Sequence, residues 1–285
     1  MKNKFDEKLL KELVILTKVH LEDIPLDEKK VIEMFSRNNV IKDIYPISNH
    51  SLNGISECST IFYNNQIKLV NPISLNQISK LIAFAHSSGA WNNNASDLLT
   101  SHNVSLDDMI STKEDLFDLL INSNIKESIA NEIVEKVSSG KLNLPNEKKA
   151  KKLLIDSNIP KWVLSFLNKV QYLPKREIIN EITLLTYRLA WFKKKYTKEF
   201  YQVLFQLSNN EELLNYKDLK QVEILKILTD LKNNIYENNL NNYNNIKEYN
   251  NDLINISHRS TLLLTLMEIR TNQTLINYLL KDIVQ

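Results

Sequence analysis

The chain has 285 residues, of which 43% are hydrophobic and 25% are charged, with a net charge of +2, 6 Pro, 1 Cys and only 3 Gly. Ordinary usage would give roughly 20 Gly, and phosphate-binding loops, dinucleotide fingerprints and tight hairpins all need glycine where the backbone has a positive φ. Gly54, Gly89 and Gly140 are too far apart to build any of them. The composition therefore excludes the common nucleotide-binding loops and predicts an all-α fold.

The apolar residues recur at helical spacing through most of the chain. A first amphipathic helix is predicted at 5–21, and Asp27 is the expected N-cap of a short second helix. Residues 37–73 are less regular, so we expect loops there or at most a short β pair near 40–73. From Ser74 onward the predicted helices cover 74–86, 94–101, 105–111, 113–123, 125–139, 147–157, 160–170 and 175–196.

The C-terminal part continues the helical pattern. Residues 231–251 combine many Asn with regularly spaced apolar residues and predict a polar helix pair, and 260–285 predict an apolar helical stretch that belongs to a core. No apolar run reaches the ~20 residues of a membrane span. The N-terminus leads into an amphipathic helix rather than a secretory signal, and the single Cys58 excludes an intramolecular disulfide. We therefore expect a cytoplasmic protein with no membrane partner.

Positive charge is concentrated in residues 147–199, which hold 13 Lys and Arg against 5 Asp and Glu. This gives the segment a net charge of +8 and leaves −6 for the rest of the chain. A basic segment in a nearly neutral protein is typical of a nucleic-acid contact. A solvated helix face enriched in Lys would give the same count, and both interpretations stay open at this point.

Motifs for enzyme chemistry are missing from the sequence. The five His form neither HExxH nor a Cys/His ligand pair, and no Asp-x-Asp supplies the clustered carboxylates of a two-metal centre. Asp107–Asp108 and Glu114–Asp115 stand at predicted helix starts, where capping explains them. We predict no catalytic residue, no metal and no cofactor.

Several segments, read in order, resemble the polymerase region of PolC-type DNA polymerase III alpha subunits over about residues 20–205. The matching segments, each followed by the family pattern, are 24–36 IPLDEKKVIEMFS (IPxDDxxVMxLFS), 54–62 GISECSTIF (GxPEFGTxF), 85–99 AHSSGAWNNNASDLL (SHGTxVWLGNAQDLI), 105–139 (SLxxVIxxRDDIMxYLxxxGLxxxxAFKIMExVRKGK), 159–172 IPKWVLSFLNKVQY (VPxWYIDSCxKIKY) and 187–193 YRLAWFK (VRIAYFK). The collinear order of the matches is the strong part of the resemblance.

The resemblance implies a fingers domain, a helical module that contacts incoming nucleotide and template. The family's catalytic aspartates lie in a palm that precedes this region, so the resemblance implies a chain without polymerase activity. The family's PKAHAAAY helix reads LPKREIINEI here, and the alignment without gaps puts Arg176 at the Lys position, Ile178 at the His position and Ile182 at the Tyr position. The replacement of the family's His and Tyr by isoleucines removes two polar side chains, which argues against a triphosphate site.

Five cations are the predicted nucleic-acid-binding residues: Arg176, Arg188, Lys193, Lys194 and Lys195. Arg188 and Lys193 match cations of the family pattern, and the two following lysines extend the run. A structural ion pair is the alternative for Arg188, and a purely solubilising surface is the alternative for the lysines.

We thus expect a noncatalytic fingers-like protein that acts in DNA replication or its control on a plasmid or phage, by binding DNA, replisome components or both. The alternative is a protein-binding decoy or inhibitor that mimics polymerase fingers without contacting DNA. Residues 1–205 are the expected fingers-like domain, and 206–285 are the expected helical extension that packs on it.

Overall fold

The computed structural model describes the greater part of the first 207 residues. The described residues are 4–36, 52, 54–58, 61–101, 104–140, 148–157 and 159–207. The predicted helices at 231–251 and 260–285, and the proposed extension 206–285 beyond residue 207, lie outside them. The domain boundary at 205/206 therefore stays a prediction.

The all-α prediction is confirmed in this part of the chain, where no sheet is formed and the one β pairing is an isolated bridge between Ser88 and Tyr172. Eleven α-helices are described: α1 (Lys4–Thr17), α2 (Lys29–Ile32), α3 (Ile61–Leu69), α4 (Leu75–Ala85), α5 (Ser96–Ser101), α6 (Lys113–Asn122), α7 (Glu127–Ser138), α8 (Lys148–Asp156), α9 (Lys161–Leu167), α10 (Arg176–Lys195) and α11 (Thr197–Leu207).

Helix α3 corrects the expectation of loops or a β pair near 40–73 for residues 61–69. Tyr63, Gln66 and Ile67 are buried at helical spacing, and the Gln66 amide donates from Nε2 to the Leu81 carbonyl at 3.1 Å. A polar residue thus occupies a core position. The polar Gln66 interrupts the apolar periodicity of α3, which is why the pattern did not predict the helix.

The helix starts confirm some predicted caps and correct others. Thr112 and Asp115 form a capping box at the start of α6, as the acidic first turn predicted. The predicted helix 105–111 is only a short 3-10 turn at Leu106–Asp108, and Ser105 before it makes no side-chain cap. The expected N-cap Asp27 is wrong by one residue, because α2 begins at Lys29 after Glu28. The Glu28 carboxylate does not cap α2, since it binds other side chains described below.

The described residues divide into two compact units. The first lies within Asn65–Leu184, and the second combines the described parts of Lys2–Asn64 and Leu185–Gln285. The division falls within α10. Residues with fully buried side chains form each core: Leu81, Leu116, Leu120 and Phe166 in the first unit, and Leu9, Leu13, Phe35, Tyr187 and Phe192 in the second.

In the second unit, helices α1 and α11 pack against each other. None of the described helices is both long enough and apolar enough to cross a membrane.

Candidate nucleic-acid interface

Arg176, the first residue of α10, is held by three carboxylates of the first unit. Its Nη2 lies 3.0 Å from Asp115 Oδ1 and 2.6 Å from Asp118 Oδ2, and its backbone N–H donates to Glu114 Oε2 at 2.7 Å. Burial lowers the pKa of Arg176, but the hydrogen bonds to Asp118 and Asp115 outweigh this effect, so the pKa lies above its ordinary value. The positive charge of Arg176 is therefore neutralised within the protein itself.

Asp115 organises the surroundings of this arginine. Its Oδ2 accepts hydrogen bonds from the N–H and Oγ of Ser111 and from the N–H of Thr112, and Lys80 Nζ lies 3.8 Å away. Burial raises the pKa of Asp115, but Lys80 and the hydrogen bonds from Ser111 and Arg176 outweigh burial, so the pKa lies below its ordinary value. The acidic pair Glu114–Asp115 thus has the structural function that the sequence predicted.

Two isoleucines occupy the next family positions on α10. Ile178 is 40% exposed and Ile182 is buried. Neither side chain can donate a hydrogen bond. These two positions therefore offer no polar group to a triphosphate.

Arg188 lies in the second unit and is half-buried. Its Nη2 is 3.5 Å from the Leu21 carbonyl oxygen, at the outer limit of a hydrogen bond. Its Nε is buried and has no hydrogen-bond partner among the described residues. Within this part of the chain, the ion pair that the sequence left open for Arg188 is not formed.

Lys193 is buried at 4% exposure rather than presented to solvent. Its Nζ lies 5.7 Å from the ring centroid of Phe200 and 5.2 Å from that of Tyr201. Both distances are within the range of cation–π attraction. The side chain of Lys193 therefore stabilises the packing of α10 on α11.

Lys194 and Lys195 are the exposed members of the run. Lys195 Nζ lies 2.7 Å from Glu28 Oε1, with 44% of the lysine side chain still exposed. No ion pair of Lys194 is formed among the described residues. The prediction that the five cations contact nucleic acid stays a prediction, and the structure gives them different surroundings.

The sequence did not predict the contact between Glu28 and α10. Glu28 Oε2 accepts a hydrogen bond from Trp191 Nε1 at 3.2 Å, across 163 residues of chain. Tyr187 Oη donates to the Pro25 carbonyl at 3.0 Å and accepts from the Glu28 N–H at 3.1 Å. Glu28 and Trp191 both fall in segments that resemble family motifs, so the joint presence of the two motifs was the signal that could have found this contact.

Within the described residues, no group of three or more His, Cys, Asp or Glu side chains is placed to hold a metal ion.

The described part of the chain is all-helical, and α10 carries the five candidate cations. The family model of the bacterial DNA polymerase III alpha subunit finger domain matches residues 7–151. The chain belongs to this family, which confirms the resemblance and ties the protein to DNA replication.

The curated relatives are whole polymerases. The PolC-type DNA polymerase III of Mycoplasma genitalium is 28% identical over 234 residues, which is 81% of this chain and 16% of the relative. The enzyme of Mycoplasmopsis pulmonis is 28% identical over 245 residues (85% and 17%), and that of Thermotoga petrophila is 26% identical over 211 residues (72% and 15%). The chain spans about a sixth of the length of the curated relatives it matches.

Proposed function

We propose that this fingers domain acts in DNA replication or its control by binding DNA, and that it has no polymerase activity of its own. Membership of the fingers family supports the link to replication. The observation that carries the noncatalytic part is the pairing of Arg176 with Asp115 and Asp118. Two carboxylates beside the guanidinium repel the triphosphate of a nucleotide, where a polymerase needs free positive charge.

Direct phosphate contacts are assigned to Lys194 and Lys195, because both are exposed at the end of α10. Arg176 and Lys193 are held by protein groups and Arg188 is half-buried, so in this proposal these three residues support the fold around the contact. The Nζ of Lys195 keeps donors beyond the one used by Glu28, since an ammonium has three. Each phosphate neutralised by a lysine adds about 0.7–0.9 to the slope of log affinity against log salt.

The experiment is fluorescence anisotropy with primed and duplex DNA between low and physiological salt. We expect binding that weakens steeply with salt, and a several-fold loss for Lys194→Glu. Lys8→Glu, an exposed residue of α1, is the matched control with the same change of charge and should bind like the wild type. Absence of affinity at low salt would overturn DNA binding, and nucleotide incorporation by the purified chain with Mg²⁺ would overturn the noncatalytic assignment.

The second candidate is a decoy that mimics fingers and binds a replication protein. It is favoured by the observation that Arg176 and Lys193 are occupied by groups of the chain itself. Affinity capture from host extract distinguishes the two. Replication proteins recovered equally by the wild type and by Lys194→Glu, without DNA affinity, would establish the decoy.

The proposal places the protein in the cytoplasm, on a plasmid or phage replication system. A chain that keeps the fingers scaffold while its nucleotide-facing residues diverge fits a module released from the demands of chromosomal synthesis. The neighbouring genes test this: plasmid or phage replication genes support it, and a chromosomal housekeeping operon contradicts it.

A further inference from the structure

Two loops of the first unit are joined tightly at the end of α9. The N–H of Ser88 donates to the Tyr172 carbonyl at 3.1 Å, and the N–H of Gln171 donates to the Ser88 carbonyl at 2.9 Å. The buried Asn94 amide donates from Nδ2 to the carbonyls of Gly89 and Phe166, at 2.8 and 3.1 Å. These bonds fix the backbone of both loops.

The backbones of the two loops lie very close to each other at this junction. Gly89 has φ +67, and a Cβ on it would lie 2.1 Å from the Lys169 carbonyl oxygen. Lys169 Nζ in turn donates to the carbonyl of Asn93, which has φ 54. The backbone that carries the side chains of this junction is therefore fixed in place.

The exposed side chains at the junction are polar, aromatic or cationic, and none is a carboxylate. Tyr172 is 43% exposed although the adjacent Leu173 is buried. We call the group the Tyr172 surface, and it consists of Ser88, Asn92, Asn93, Lys169, Gln171 and Tyr172. An exposed ring, a cation and several amides on one rigid junction are the groups that bind unpaired nucleotides: the ring stacks on a base, the cation contacts a phosphate and the amides reach base edges.

We propose that the Tyr172 surface binds single-stranded DNA. Tyr172 stacks on a base and Lys169 contacts the adjoining phosphate through the donors that Asn93 leaves unused. The amide of Asn92 binds a base edge, and so does Nε2 of Gln171, whose Oε1 accepts from Ser88 Oγ at 3.0 Å. Stacking on an exposed ring requires a base that is free of its helix, so the surface favours single strands over duplex. The inference rests on the proposed DNA binding and adds to it a second contact and the form of the DNA.

The test is fluorescence anisotropy of the full chain with labelled dT20 and with a 20-base-pair duplex at fixed salt. Tyr172→Ala should weaken dT20 binding about tenfold, and Tyr172→Phe should keep it within about twofold, since stacking on one ring has an effect of this size. Duplex affinity should be unchanged in both variants. Lys169→Ala should lower dT20 affinity and reduce the salt slope by about 0.7.

Two controls match these variants. Ile73→Ala removes another exposed large side chain of the same unit, and Lys126→Ala removes an exposed lysine at the start of α7. The end of α7 that approaches Gln171 is about 18 Å of helix away from Lys126. Both controls should bind dT20 like the wild type, and circular dichroism should show that all variants keep their helices.

The outcomes separate this inference from the proposed function. Wild-type binding to dT20 that Tyr172→Ala does not weaken, or binding to duplex alone, overturns the Tyr172 surface and leaves DNA binding intact. No binding to any DNA overturns both. Binding to rU20 more than about tenfold tighter than to dT20 assigns the surface to RNA and overturns the inference as stated.

Discussion

Glu28 joins the start of α2 to the last turn of α10 through an ion pair with Lys195, at 2.7 Å between Oε1 and Nζ. The other carboxylate oxygen accepts from Trp191 Nε1, so both oxygens are used. The ammonium sits at the C-terminal end of α10, where positive charge is also favoured by the helix dipole. One acidic residue of the IPLDE segment thereby fixes the geometry of the helix that carries the candidate DNA contacts.

Removing this carboxylate destabilises the second unit. Glu28→Ala leaves the indole N–H of Trp191 without its acceptor, and we expect a loss of about 1–2 kcal/mol in the free energy of unfolding. Glu28→Gln keeps an acceptor and loses only a partly exposed ion pair, so about 0–1 kcal/mol is expected. Urea unfolding measures both. Glu7→Ala, at an exposed position of α1, is the control, and a loss equal to that of Glu28→Ala would contradict the prediction.

Asp6 makes folding dependent on pH. Its carboxylate accepts from the Ser56 N–H and Oγ, at 3.2 and 2.8 Å, and burial raises its pKa from 3.8 to about 7 in spite of these bonds. The folded chain thus holds this proton more tightly than the unfolded chain. The stabilisation is complete below pH 3.8 and is lost as the pH rises through about 7, by up to ~1.4 kcal/mol per pH unit.

The measurement is urea unfolding at pH 5, 6, 7 and 8 for the wild type and Asp6→Asn. The asparagine cannot titrate and can still accept from Ser56, so the difference in unfolding free energy between the two proteins should change across this range. Asp23→Asn at an exposed position is the control. A difference between the wild type and Asp6→Asn that stays constant with pH would refute the prediction.

Alanine variants of Gly89 and Gly140 distinguish the stability lost to a steric clash from the stability lost to backbone strain. Their φ values are similar, +67 and +65, but a Cβ would lie 2.1 Å from the Lys169 carbonyl oxygen at Gly89 and 3.1 Å from the Gln171 carbonyl oxygen at Gly140. Both alanine variants lose about 1 kcal/mol or more to strain, and Gly89→Ala loses more because the backbone must move. Thermal unfolding should rank Gly89→Ala below Gly140→Ala, and the reverse order would contradict this reasoning.

Asp115 stabilises the first unit, and this contribution to the free energy of unfolding is lost in acid. Asp115→Ala deletes the capping box and leaves Lys80 with one carboxylate fewer, so we expect a loss of about 2–4 kcal/mol at pH 7. Because its folded pKa is depressed, the stabilisation is present above the ordinary value and is lost as the pH falls through the folded one. Asp118→Asn, with the Asp118 side chain 53% exposed, is the control and should cost little. The difference between the two variants should shrink in acid, as measured by urea unfolding at pH 7 and pH 3.

Much of the described fold could be read from apolar spacing. The predicted helix 175–196 corresponds to α10 at Arg176–Lys195, and 113–123 corresponds to α6 at Lys113–Asn122, because local spacing and a capping box define both. Helix α3 was missed because buried Gln66 breaks its apolar pattern. The predicted helix 94–101 becomes α5 at Ser96–Ser101, since Asn93 takes φ 54 just before it.

The candidate site could be predicted less well, because charge in a sequence does not reveal its partners. The run Lys193–Lys195 reads as three equivalent cations. In the structure one is buried over two aromatic rings, one is exposed and one is paired with Glu28. Helical geometry rotates successive residues by about 100°, so neighbours in the run face different surroundings.

By itself, the sequence determined the helical class, the family and the loss of polar groups at Ile178 and Ile182, because these depend on residue type and order. Only the tertiary structure decided which charges are available. Arg176 is neutralised by Asp115 and Asp118, residues about sixty positions away, and Tyr172 is held at the surface by a loop more than eighty positions away. Such pairings arise when the chain packs its apolar faces, and that long-range packing cannot be deduced from local spacing.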